Sequence, residues 1–289
     1  MNGMNHALDK RNHGKMALLL FFLLWSIPVF SGAAWGASLD RAEVTELYRQ
    51  ARELFRQAND TAATDSQAAE HLYRKALTRY EKIAWEGGVR NGKLFYNIGN
   101  THFKLGEIGK AILNYKRAER FIPNDVNLQQ NLQFAKARRI DRIEEPQERQ
   151  VLKILFFWHY DFPTSVRVIL FSAFFILFWI CASIRLFAAN PFLKWVIRFT
   201  AGLSILFAGS LVVDMIQQQT NHPGVIIRSE VVARKGDSET YEKSFKEPLH
   251  AGTEFLLIEK RGNWFNIELS DSRRCWVPAA DVEMVTPGQ

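Results

Sequence analysis

Val168 to Ile184 reads VILFSAFFILFWICASI, seventeen residues without a charge, and Phe199 to Val213 reads FTAGLSILFAGSLVV. Between them lies a short basic turn that carries Arg185, Lys194 and Arg198 and no acid. A bilayer core about 30 Å thick takes roughly 20 helical residues, fewer where flanking Arg or Lys reach outward. Arg167, Arg185 and Arg198 stand at the positions from which such reaching would occur. A helix buried in a soluble domain carries a polar residue every turn or so on its outer side, and neither run has that stripe. Residues 165–216 are therefore read as a transmembrane hairpin, with spans at about 165–187 and 195–216. A buried hairpin in a soluble domain is the competing reading.

The rest of the chain is too polar for a transporter built of spans throughout. It has 289 residues and a formal net charge of +7 from 37 Lys and Arg against 30 Asp and Glu. Mean hydropathy is −0.14. The two signs are interleaved, as on a solvated surface, rather than gathered into a nucleic-acid footprint. Only Cys181 and Cys275 are present, one inside an apolar run and one near the end, which argues against a bond between them. No Cys or His cluster encodes a metal site, and no cofactor motif occurs.

Residues 1–37 have the shape of an export signal. Lys10, Arg11 and Lys15 precede the apolar run Met16–Phe30, and small residues around Ala33 and Ala34 lead to a cleavage site. An uncleaved anchor is the alternative, and under either reading the chain beyond residue 37 is exported. The basic turn of the hairpin then stays cytoplasmic. Both soluble segments would face the extracytoplasmic, periplasmic side of a bacterial inner membrane.

From residue 38 to 142 apolar residues recur at helical spacing, with Pro123 as the single proline before Glu145. Five helices are expected, over Arg41–Asn59, from Asp65 or Ser66 to Trp85, Lys93–Lys104, Ile108–Phe121 and Asp125–Arg142. The run LFYNIGNTHFKLGEIGKAILNYKRAERFIP (Leu94–Pro123) resembles the tetratricopeptide repeat. Phe95, Ile98, Gly99, Gly106, Ala111, Tyr115, Ala118 and Pro123 fit its pattern, while His102 replaces the usual aromatic. Gly99 and Ala111 are small where two antiparallel helices must approach, and Tyr115 fills the groove beside them. Ala69, Tyr73 and Ala76 suggest a degenerate earlier unit; a generic helical bundle is the plainer alternative.

Two repeats and a closing helix fall short of the three that a free solenoid needs. The missing surface is expected from a partner, a second copy or the membrane-proximal helices. Lys93, Tyr96, Asn100, Phe103 and Lys104 share one helix face, which suits a peptide partner as well as it suits plain solvation. Residues 143–164 form a charged and aromatic connector in which Ile154–Pro163 is read as lying at the bilayer surface. Gly202 and Gly209 give the second span a small-residue face for the first span or for another membrane protein.

Residues 222–286 switch to short β runs, at Val225–Ile227, Val231–Ala233, Phe255–Ile258, Trp264–Ile267 and Cys275–Val277. This segment resembles a bacterial SH3-like barrel at Gly252, Gly262, Trp264 and Trp276. Its departures are Val232–Gly236, where the Asn-Val-Arg-x-Gly pattern is absent, and Cys275 in place of glycine. Both tryptophans are read as packing residues rather than a ligand cage.

Nucleophile elbows, paired metal-ligating histidines and phosphate loops are absent from the sequence, so no enzyme is expected. The order of signal, tetratricopeptide-type repeats, two spans and terminal SH3-like domain resembles the BatE family of bacterial aerotolerance-operon proteins. That resemblance implies a membrane protein acting beside von Willebrand A-domain proteins and a MoxR-type ATPase in stress tolerance or envelope assembly. The expected fold class is multidomain: all-α repeats, a transmembrane α-hairpin and a small all-β barrel. A non-enzymatic scaffold is the leading expectation, and a peptidoglycan-binding module the alternative.

Overall fold

The computed structural model describes residues 39–143, 151–152, 154–187 and 190–286, so the export-signal reading lies outside the described residues. Five helices come first: α1 (Arg41–Thr61), α2 (Ser66–Trp85), α3 (Gly92–Lys104), α4 (Ile108–Glu119) and α5 (Val126–Ala137). Side-chain caps start four of them. Asp40 accepts from Glu43 N in a capping box, and Asp65, Asn91 and Asp125 accept from Ala68, Leu94 and Leu128 N. Short loops make sequential helices antiparallel neighbours, and small residues set their spacing. A methyl group on Gly99 would stand 2.6 Å from Tyr115 Cδ1, while Ala51, Ala76, Ala111 and Ala118 are fully buried. Gly106 turns α3 into α4 with φ +77°, a backbone region that glycine enters without a Cβ clash.

The fifth helix ends at Ala137 rather than running on to Arg142. Residues 138–143 leave the helix, and Asp141 reaches another part of the chain. There it accepts from the backbone N–H of His250 at 2.7 Å, and it meets His250 Nδ1 at 2.7 Å and Thr253 Oγ1 at 2.5 Å.

The C-terminal segment is a small antiparallel sheet. Strands β1 (His222–Ile226), β4 (Glu254–Arg261), β5 (Trp264–Leu269), β6 (Arg274–Pro278) and β7 (Val282–Met284) are ordered β6-β5-β4-β1-β7. A separate pair joins β2 (Glu230–Val231) to β3 (Leu249–His250). The β4–β5 hairpin turns through Gly262 at φ +55°. Its core gathers Ile226, Phe255, Leu257, Ile267, Leu269, Cys275 and Val277. Burial pushes the Cys275 thiol up to about 12, so it stays protonated and packs as a small hydrophobe. Trp276 is buried with the Arg261 guanidinium 4.8 Å above its ring, and Trp264 is half-buried.

The sequence places the surface that completes the helical array on a partner, a second copy or the membrane-proximal helices. The structure corrects this: the β module supplies it. Val225 and Val285 belong to the same buried cluster as Ala111, Ile112, Leu113 and Leu128, with Ile227 packed beside them. The approach is close enough to require glycine, because a methyl on Gly109 would stand 2.7 Å from the Ile226 carbonyl oxygen. Gly252, at φ +95°, sets its backbone against Ile112 from the other side.

Two helices are long and apolar enough to cross a membrane, α7 (Thr164–Arg185) and α8 (Pro191–Thr220). The short α6 (Phe157–Tyr160) precedes them. They meet along Thr200, Ser204, Phe207 and Ser210, and Phe207 stacks on Phe174 with centroids 6.1 Å apart. Gly202 and Gly209 lie off this seam. A methyl on either would meet nothing within 4 Å, so the small-residue face is turned away from the first span. The flanking arginine Arg167 does not reach outward as expected. Its side chain is 5% exposed and turns inward to Asp214 at 2.5 Å, because a carboxylate on the neighbouring span satisfies it better than apolar surroundings would.

Candidate partner-binding face

On α3, the five residues sharing a face meet different fates. Lys93 Nζ pairs with Asp125 at 2.9 Å, at the start of α5. Tyr96 Oη accepts from Asn131 Nδ2 at 2.9 Å. Asn100 Oδ1 accepts from the same amide at 2.9 Å and from Tyr115 Oη at 2.8 Å. Phe103 packs on Phe134 with centroids 5.8 Å apart, under the Arg138 guanidinium at 4.7 Å. Four of the five therefore hold α5 in place, and Lys104 is exposed.

The neighbouring side of α3 is more open. Here α1 and α3 border a cleft of about 470 Å³ lined by Arg49, Arg52, Arg56, Phe55, Tyr80 and Asn97, among others. Asn97 Nδ2 donates to Tyr48 Oη at 2.9 Å and fixes the cleft floor. Arg49 is drawn to Glu46 at 2.6 Å, and Arg56 to Glu53 at 2.7 Å and Asp60 at 3.0 Å. Hydrogen bonds from Arg49 and Gln50 hold the Glu46 carboxyl at about 2, so the Glu46–Arg49 pair stays charged down to strongly acidic pH. Arg52 pairs with no carboxylate among the described residues. These arginines were not singled out from the sequence; the signal that could have found them is their spacing at 49, 52 and 56 of one amphipathic helix, which puts them on one side.

His102, at the position where an aromatic was expected, is buried with Nδ1 2.8 Å from Glu107 Oε2. Burial pushes the Glu107 carboxyl up, but His102, Lys110 and Arg74 more than offset that and hold it below the usual carboxylate range. This His–Glu pair closes the α3–α4 turn.

The far side of α4 meets the β module through polar contacts. Arg117, 4% exposed at its side chain, donates to the Met284 carbonyl at 2.9 Å and to Glu283 Oε1 at 2.7 Å, and lies over the Trp85 ring. Lys136 and Arg139 meet Glu254 at 2.8 and 3.1 Å. Arg120 also donates to Thr286 Oγ1. These contacts leave α4 covered by the β module and the α1–α3 cleft open. No protein-family model matches the chain, and no curated protein matches it.

Proposed function

We propose that this protein is a non-enzymatic, membrane-anchored scaffold that holds a protein partner on its helical segment. On this reading the helices are repeats of the tetratricopeptide type and the β module is an SH3-like barrel. The observation that carries it is the division of surfaces: the β module fills the end of the array, and the α1–α3 cleft with Arg52 stays open. An array completed from within needs no second protein to fold, so its open groove is available for one.

The docked β module also supports placing both soluble segments on one side of the membrane, since the two spans lie between them in sequence. The basic turn at Arg185, Lys194 and Arg198 favours the cytoplasm for the hairpin tip and the extracytoplasmic side for the modules. The resemblance to BatE-family proteins favours von Willebrand A-domain proteins and a MoxR-type ATPase system as the setting, in a stress-tolerance complex of the bacterial envelope.

The test is a photo-crosslinking residue at position 52 in the full chain, in native membranes. A discrete adduct is expected, lost in the double variant Arg49→Ala with Arg56→Ala. No adduct, or the same adduct from position 126, an exposed residue of α5 outside the cleft lining, would defeat the scaffold reading of this cleft. Sedimentation of the full chain, in detergent, with purified peptidoglycan tests the wall-binding alternative.

A further inference from the structure

Three segments converge at one end of the two candidate spans. Arg167 from α7 donates through Nη2 to Asp214 Oδ2 at 2.5 Å and Thr164 Oγ1 at 3.2 Å. Through Nη1 it donates to Ser210 Oγ at 2.6 Å, and its Nε donates to the Phe162 carbonyl at 3.1 Å. The same Nη1 stands 2.9 Å from His159 Nδ1, on α6, and that nitrogen is 2.8 Å from Ser210 Oγ.

A guanidinium has donors only. His159 Nδ1 must therefore be the acceptor, which puts the ring proton on Nε2, 3.8 Å from Asp214 Oδ1. The arrangement requires a neutral imidazole. Adding a proton at Nδ1 sets N–H against N–H and positive charge against positive charge at hydrogen-bond distance. The charged groups facing His159 are Arg167 from α7 and Asp214 from α8, with Tyr160 and Asp161 on its own segment. Among the described residues Asp214 is the carboxylate across the contact, and Arg167 and Thr164 already use it.

We propose that His159, Arg167, Ser210 and Asp214 form a proton-released latch. Neutral His159 ties the juxtamembrane segment to the end of the spans, and protonation frees it. What it holds is an apolar stretch: Ile154 and Leu155, just ahead of α6, are exposed, as are Phe156 and Phe157. Because this stretch links the spans to the helical segment, the latch would set how closely the soluble modules are held to the membrane. Histidine is the side chain whose charge changes between about pH 5 and pH 8, so the device would respond to acidification on that side of the membrane.

Nitroxide labels at Leu155→Cys and Met215→Cys, both exposed positions, read the latch directly in the full chain in lipid vesicles. The native cysteines are buried and would label poorly. At about pH 8 one short distance is expected, and at about pH 5 a second, longer population. The variant His159→Gln keeps an acceptor for Arg167 but cannot take a proton. It should show the short distance at both pH values, whereas Asp214→Asn should show the longer one at both. An unchanged distribution across pH in the native sequence would overturn the proposal. So would an undiminished pH response in His159→Gln, which would assign the opening to another group.

Discussion

The Arg117 guanidinium and the Met284 carbonyl oxygen are joined at 2.9 Å across 167 positions of sequence. Both candidate spans fall inside that interval. The chain thus leaves the helical segment, passes through its apolar hairpin and returns to close on the helix it left. Among the contacts that hold that return are the buried cation Arg117, the close approach at Gly109 and the half-buried carboxylate of Asp141.

Arg117 is expected to matter through the groups it satisfies. Replacing it by Ala leaves the Met284 carbonyl without its donor, removes the pair with Glu283 and empties the space over Trp85. A hydrogen bond made by a charged group is worth about 1.5–3 kcal/mol, and half-exposed Glu283 adds little to that. Arg117→Ala should therefore cost about 2–3 kcal/mol. For a chain of this size that is a fall in Tm of roughly 3–6 °C, measurable by thermal unfolding in detergent. An unchanged Tm would mean that the module contact contributes nothing to stability.

Two glycine-to-alanine changes should have opposite signs. In a helix interior Ala is favoured over Gly by roughly 1 kcal/mol, so Gly→Ala normally stabilises. Gly202 lies in α8 with nothing within 4 Å of an added methyl, and Gly202→Ala should be neutral or stabilising. The methyl of Gly109→Ala would press on the Ile226 carbonyl at 2.7 Å, and a backbone atom cannot swing aside. That variant should lose stability despite its better helix propensity and should expose the 138–143 segment to protease. Equal effects at the two sites would contradict the close approach of α4 and β1.

How much could be read from the chain in advance depends on the range of the interactions. The two candidate spans were legible because seventeen uncharged residues in a row carry their own meaning. The α3–α4 pair was legible because Gly99, Ala111 and Tyr115 pack within one local hairpin. The docking of the β module was not, since Gly109, Arg117 and Asp141 belong to no periodic pattern and their partners lie beyond the hairpin. Face sharing at Lys93, Tyr96, Asn100 and Phe103 was correctly grouped by spacing, but spacing says nothing of what covers a face, and here α5 does. Arg167 illustrates a different limit: an arginine at the end of a span reaches outward or inward according to what the other span offers. The short strands β3 and β7, of two and three residues, are too brief to show alternation.

Acid should loosen the junction at Asp141. Burial pushes the Asp141 carboxyl up, but the Thr253 hydroxyl and the backbone and ring of His250 outweigh it, and the group sits below the usual carboxylate range. A carboxyl depressed in the folded state contributes stability above its unfolded value, and that contribution is lost as pH falls through the folded one. The contact between the 138–143 segment and the β module should therefore hold at neutral pH and weaken below about pH 4, where an ordinary Asp begins to protonate. Asp141→Asn keeps the shape without the charge, so it should destabilise at neutral pH and lose most of the acid dependence. Thermal unfolding of both forms from neutral to acidic pH checks this, and the two curves should converge at the acid end. If the gap between them stayed constant with pH, the ionised Asp141 would not be what holds the segment, and its contact with His250 would be one of shape alone.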